Sequence, residues 1–225
     1  MTPDYMTPEF RFVFLGQSVL RYKVPLEIFV GLNELYETKK KHLPNANKQL
    51  AGKIPDEVSL FYAGAGGPTS KMHQHSVLSA DIFKWFYSIF DHYLKWNKVF
   101  DYHMDINSVW VNEMKAGDYN PVHIHRGKIF TGLSSVMVLK LPKDYGPELT
   151  HPEQPMNGQL QILGNAGGQF ATTDYSPKVK IGDFYVFPYD MRHVVYPFNN
   201  KKARRRTLVC NVDVTYDPIT SRTAK

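Results

Sequence analysis

The feature that most narrows the fold is a change of hydrophobic period part-way along the chain. Before about residue 100 the apolar residues recur at helical spacing. From about Asn107 onward they alternate. In the first part, Pro25 opens Leu26-Glu-Ile-Phe-Val-Gly-Leu-Asn-Glu-Leu-Tyr, with Ile28, Leu32 and Leu35 on one side. A helix is expected there to about Lys41, its lysines complementing the negative C-terminal end. A second helix is expected from a cap at Ser79 or Asp81 to about Trp96. Its wide apolar face is Ile82, Trp85, Phe86, Ile89, Phe90 and Tyr93.

An opening strand is expected within residues 10–20. The later strands are Ser108–Met114, Ile129–Leu141, Gly158–Leu163, Val179–Ile181, Gly182–Pro188 and Thr207–Val214, with Pro and Gly clusters between them. Helices first and short strands afterwards predict an antiparallel barrel or sandwich with helices packed on one sheet. All 225 residues are expected to form one domain. The Gly-rich stretch Ala63–Ser70 lacks the Gly-Lys-Ser/Thr ending of a phosphate loop and reads as a plain loop.

Composition excludes several classes. Apolar residues make up 43% and charged residues 21%, an ordinary globular balance. One cysteine, Cys210, rules out an internal disulfide framework; within Leu208-Val209-Cys210 it reads as a small core residue. No basic and apolar leader follows Met1, and no apolar run approaches the roughly 18 residues of a membrane span. A soluble, cytoplasmic protein is expected. The net charge of +6 comes largely from Lys39–Lys41 and Lys201-Lys202-Ala-Arg204-Arg205-Arg206. Such short runs are usually solvated loops, and nucleic acid is the weaker alternative.

Nine histidines include two His-x-His pairs, His73/His75 and His123/His125. Residues i and i+2 of a strand share a face, so two imidazoles at this spacing can grip one metal ion. His73 and His75 lie between a Gly-rich loop and a helix, where nothing fixes them on a face. His123 and His125 follow the turn Gly117-Asp-Tyr-Asn-Pro and precede a long strand, near the mouth of a barrel. His193, after the strand Gly182–Pro188, is the candidate third ligand. Asp118 is a carboxylate alternative set below His125, since a Pro turn separates it from His123. About ten residues beyond His193 come Arg204, Arg205 and Arg206. A guanidinium fork there can bind a carboxylate bidentately. Strand alternation puts Arg205 and Arg206 on opposite faces without choosing between them. Trp110, Tyr119 and Asn120 are candidates for a substrate lip.

These motifs carry a resemblance. Asn112-Glu-Met-Lys-Ala-Gly-Asp-Tyr-Asn-Pro-Val-His-Ile-His-Arg126 resembles the first metal motif of a group of iron(II)/2-oxoglutarate oxygenases common in marine bacteria and cyanophages. Gly182-Asp-Phe-Tyr-Val-Phe-Pro, then Arg192-His-Val-Val-Tyr-Pro and Arg205-Arg-Thr-Leu-Val-Cys-Asn211, resemble the second. The resemblance implies a double-stranded β-helix (jelly-roll, cupin-like) core over about 105–215, supported by N-terminal helices over about 20–100. It implies Fe(II) and 2-oxoglutarate as cofactors, with His123, His125 and His193 as metal ligands. Its arginine, six positions before an asparagine, is Arg205; Arg206 and Asn120 complete the candidate cosubstrate-binding set. The implied reaction is hydroxylation of an unactivated C–H bond of a peptide or small molecule by molecular oxygen, with prolyl-hydroxylase-like chemistry as one form. A phage-encoded protein would act in the host cytoplasm.

One departure stands out. Most of the wider superfamily uses His-x-Asp/Glu with a distal His. Here three neutral imidazoles would leave the iron more positive. That suits a three-histidine cupin-like metal protein that does not use 2-oxoglutarate; a basic nucleic-acid or assembly protein on a jelly-roll scaffold is a further alternative, its feature being Lys201–Arg206 as an exposed patch.

Overall fold

The computed structural model describes residues 16–46, 51–62, 76–148, 153, 155–165, 167–169 and 171–220. Two helices and ten strands follow one another along these residues: β1 Leu20–Lys23, α1 Leu26–Lys39, β2 Glu57–Ser59, α2 Ala80–Trp96, β3 Tyr102–Met114, β4 Asn120–His123, β5 Gly132–Lys140, β6 Leu160–Leu163, β7 Asp174–Tyr175, β8 Asp183–Pro188, β9 Arg192–Val195 and β10 Arg205–Tyr216. The strands form a six-stranded sheet in the order β1-β8-β5-β10-β3-β2 and a four-stranded sheet in the order β4-β9-β6-β7. Every pairing is antiparallel. Two facing antiparallel sheets joined by crossovers make the expected jelly roll.

The helices form where the period predicted them. The Ser79 hydroxyl caps α2 by accepting from the Ile82 amide, and Asp81 and Lys95 complement its two ends. Its buried face is Ile82, Phe83, Phe86, Phe90, Tyr93 and Leu94, slightly rotated from the expected stripe. Helix α1 starts at Pro25 and buries Leu32 and Tyr36. Among the described residues no helix is long and apolar enough to cross a membrane.

The large sheet has a core on each face. Leu208, Cys210, Val212, Phe184 and Met137 pack against α1 and α2. Their neighbours Tyr185, Phe187, Val136 and Val138 point between the sheets, meeting Leu160, Ile162 and Val195 from the small sheet. Period-two alternation thus feeds both cores from the same strands. Cys210 is fully buried in the first core, as expected; burial pushes its thiol pKa well up.

Several expectations are corrected. Val179–Ile181 is not a strand: it leads into a turn in which the Asp183 carboxylate accepts from the Lys180 amide and Gly182 adopts φ +80°. His193 follows β8, as expected, but lies within a further short strand, β9, that was not anticipated. The first described strand is β1, just past the expected 10–20, most of which lies outside the described residues, as do His73, His75 and Ala63–Ser70. The run Lys201–Arg206 is not one exposed patch. Lys201 and Lys202 are exposed, whereas Arg205 and Arg206 are buried.

Candidate metal centre

The turn at Gly117–Asp118 delivers β4 to the small sheet, where it pairs with β9 so that His123 and His193 sit directly opposite each other. Cross-strand partners on one face bring their side chains within a few ångströms. His125 lies just beyond β4, where the Tyr189 carbonyl holds its backbone amide at 2.9 Å. The three rings converge. One ligand nitrogen from each of His123, His125 and His193 lies within 4.8 Å of the others. The rings of His125 and His193 stack 4.9 Å apart and nearly parallel. His193 is only 3% exposed, and Phe187 stands edge-on to it.

Burial pushes all three imidazoles below the usual histidine pKa range, and for His125 and His193 neighbouring imidazoles push further. His193 falls to about 3. All three are therefore neutral at pH 7, the form that binds metal.

The outer ring nitrogens are anchored. A carbonyl can only accept, so His123 Nδ1–H donates to Pro121 O at 2.7 Å and His193 Nδ1–H to Met191 O at 3.1 Å. In both rings Nε2 is therefore the unprotonated nitrogen. His125 differs. Its Nε2 is 3.1 Å from His193 Nε2, and its Nδ1 is 3.2 Å from Asn211 Nδ2. In this arrangement its proton is on Nε2, donated to His193, while Nδ1 accepts from the amide. The Asn211 Oδ1 is buried without a partner. Half a turn of that carboxamide would let Oδ1 accept from His125 Nδ1–H and free Nε2 as a third ligand. One side chain can hold the ring in either tautomer.

These rings open onto a cavity of about 750 Å³ between the sheets, which Trp110, Asn120, Asn211 and Arg205 also line. Arg205 is 1% exposed, yet its Nε and Nη2 have no hydrogen-bond partner. Its Nη1 reaches only the Met114 sulfur, at 3.7 Å, and the Tyr145 hydroxyl lies beside it. A buried guanidinium left this incomplete is costly unless a ligand carboxylate completes it.

Arg206 is not part of this cavity. It faces α1, where Glu37 and Glu113 hold it at 2.5 Å each and the Tyr36 ring lies 4.3 Å from its guanidinium carbon. The register explains the split, since adjacent residues of β10 point to opposite faces. Asn120 does line the cavity, with its Oδ1 buried and unpartnered. Gly52, at φ +110°, packs its backbone against it; a Cβ there would come within 2.2 Å of that oxygen. Tyr119 is 40% exposed and does not line the cavity. Asp118 is not in the cluster: its carboxylate accepts from the Lys115 amide and closes the turn.

Such a set, three neutral imidazoles beside an unsatisfied buried guanidinium, fits a divalent metal and a bound carboxylate. Residues 108–211 match the family described as "Putative 2OG-Fe(II) oxygenase". The family implies Fe(II) and 2-oxoglutarate as cofactors. No curated protein matches the chain. Among solved structures, the chain resembles a Pseudomonas putida prolyl-4-hydroxylase at 15% identity and TM-score 0.50, covering 88% of this chain and 92% of that one. An oxidoreductase of the 2OG-Fe(II) oxygenase family from Burkholderia pseudomallei is similar at 14% identity and TM-score 0.53, over 87% and 84%. The viral collagen prolyl hydroxylase of Paramecium Bursaria Chlorella virus-1, in its 2OG complex, is similar at 14% identity and TM-score 0.50, over 86% and 94%. At such identities the likeness concerns the fold.

Sequence reasoning missed Tyr145 and the Asn211–His125 contact. Tyr145 lies in a loop with no motif. Asn211 appeared only as the endpoint of a spacing rule, and nothing local says that its amide meets His125 across 86 residues.

Proposed function

We propose that the chain is an iron(II)- and 2-oxoglutarate-dependent hydroxylase in which His123, His125 and His193 hold the metal and Arg205 holds the distal carboxylate of the cosubstrate. The observation that carries this reading is the fully buried, hydrogen-bond-deficient Arg205 guanidinium opening onto the same cavity as the three imidazoles. When bound, Fe(II) and 2-oxoglutarate activate molecular oxygen toward a C–H bond, with the cosubstrate leaving as succinate and carbon dioxide.

The chain's own residues do the rest. Pro121 O and Met191 O fix the tautomers of His123 and His193. Arg205 and Tyr145 set the depth to which a dicarboxylate can enter. Phe187, Val136 and Val195 keep the inner wall apolar and exclude water. The substrate would enter past Trp110 and the exposed lining residues Tyr62 and Ile124. An apolar rim suits a peptide segment or an apolar small molecule. The prolyl hydroxylases among the structural neighbours make a prolyl peptide a first candidate.

A second reading is favoured by one observation. His125 stands where the usual carboxylate ligand would be, so the protein could bind metal without using 2-oxoglutarate. The test is turnover. With Fe(II), oxygen and 2-oxoglutarate, the wild type should form succinate, and a prolyl peptide or small-molecule panel should yield a product heavier by one oxygen atom. Arg205→Leu should need far more 2-oxoglutarate. Metal-dependent oxidation that proceeds equally without 2-oxoglutarate would favour the second reading.

A further inference from the structure

One buried carboxyl in the cavity has no place in this chemistry. Glu57, in the short strand β2, is 3% exposed and lines the cavity. Among the described residues it has no side-chain hydrogen bond or ion pair. It pairs in register with Asn112 of β3, and Asn112 with Thr207 of β10. All three side chains line the cavity. This row lies between the Met114–Arg205 row on one side and the Trp110–Val209 row on the other. The Asn112 Oδ1 is also buried without a partner. The row therefore offers two unsatisfied acceptors side by side.

The electrostatics have one sign. Burial and, to a lesser degree, the neighbouring Asp118 charge together raise the Glu57 pKa to about 7, and among the described residues no cation forms an ion pair with it. A buried carboxyl with no counterion is unfavourable in its charged form unless a bound ligand brings the charge. Arg205, the buried cation of this cavity, lies one row away, and no ion pair joins the two.

We propose that Glu57, with Asn112, forms a substrate subsite for an organic cation, an ammonium or guanidinium group that donates to both side chains. The inference rests on the oxygenase reading for the meaning of "substrate", but the subsite itself is a binding claim. The cation could belong to a basic side chain within a polypeptide or to a free basic amino acid.

The experiment titrates Fe(II)- and 2-oxoglutarate-loaded protein, under anaerobic conditions, with Nα-acetyl-L-lysine amide and Nα-acetyl-L-arginine amide. Their uncharged counterparts, the capped norleucine and citrulline amides, serve as controls, and free L-lysine and L-arginine form a further arm. Binding is read by calorimetry, and the iron–cosubstrate charge-transfer band is recorded throughout. The expected result is that at least one cationic probe binds tenfold or more tighter than its neutral counterpart, and that Glu57→Gln abolishes this preference. Tighter binding of the capped probes assigns the site to a polypeptide side chain; tighter binding of the free amino acids assigns it to a small molecule.

Glu57→Gln is nearly isosteric and removes an uncompensated buried charge. Its melting temperature should match or exceed that of the wild type at pH 8, which a purely structural carboxylate would not allow. The absence of any cationic preference, or its persistence in Glu57→Gln, overturns the proposal. So does weakened iron binding in Glu57→Gln with the preference intact, which would assign Glu57 to balancing the metal charge. Failure of the oxygenase reading shows separately, as loss of the charge-transfer band in the wild type.

Discussion

Arg205 and Arg206 are neighbours on one strand, both buried, and in opposite circumstances. Arg206 is closed by Glu37, Glu113 and the Tyr36 ring on the helical face of the large sheet. Arg205, on the cavity face, leaves two of its nitrogens without a partner. The helical face is finished without a ligand; the cavity face needs one. The same contrast holds more widely. Buried side-chain atoms lacking partners include those of Trp110, Asn112, Asn120 and Asn211, all of which line the cavity. Native interiors leave few such groups, and those that remain usually mark where something binds. The difference separates stability from function within one sheet.

Substitutions at the two arginines sharpen this comparison most. Arg205→Leu should weaken 2-oxoglutarate binding by about 30-fold or more, since a charge-assisted fork to a carboxylate is lost, while iron still binds. Titration of the iron-loaded variant with 2-oxoglutarate checks this; unchanged affinity would break the contrast. Arg206→Leu should do the reverse. It strands Glu113 with no cation and should cost about 2–4 kcal/mol of stability, read by denaturant unfolding, with cosubstrate affinity unchanged.

Asn211→Ala gives a smaller effect on the cavity face. Without the carboxamide, His125 loses the group that sets its tautomer, and iron affinity should fall by about 10- to 100-fold with the fold intact. Metal competition measures this, and no change would mean that the Asn211 contact is packing alone.

Much of the architecture was legible because period and capping are local signals. Ser79, the α2 stripe and the alternation of β8 and β10 follow directly from residue spacing. The pairing of His123 with His193 was not legible, since it depends on β4 meeting β9 across 70 residues of chain; His193 stood out only by its place after the strand Gly182–Pro188 and by the motif resemblance. Alternation separated Arg205 from Arg206 but could not say which face held acidic partners. Glu37 settles that from α1, nearly 170 residues earlier. Glu57 was invisible because β2 is three residues long and carries no period. Val179–Ile181 misled because its apolar alternation sits in front of a Gly-Asp turn, and the turn chemistry won.

The proposed function turns on whether the three imidazoles and Arg205 hold iron and 2-oxoglutarate together. The most direct measurement is anaerobic titration of the apo-protein with Fe(II) and then 2-oxoglutarate, following the weak visible metal-to-ligand charge-transfer band, in the wild type and in His193→Ala and Arg205→Leu. A band is expected in the wild type, none in His193→Ala, and a band that needs far more 2-oxoglutarate in Arg205→Leu. Tight iron binding with no band in the wild type would contradict it and leave a three-histidine metal protein that does not use 2-oxoglutarate. No metal binding at all would reduce the histidine cluster to packing.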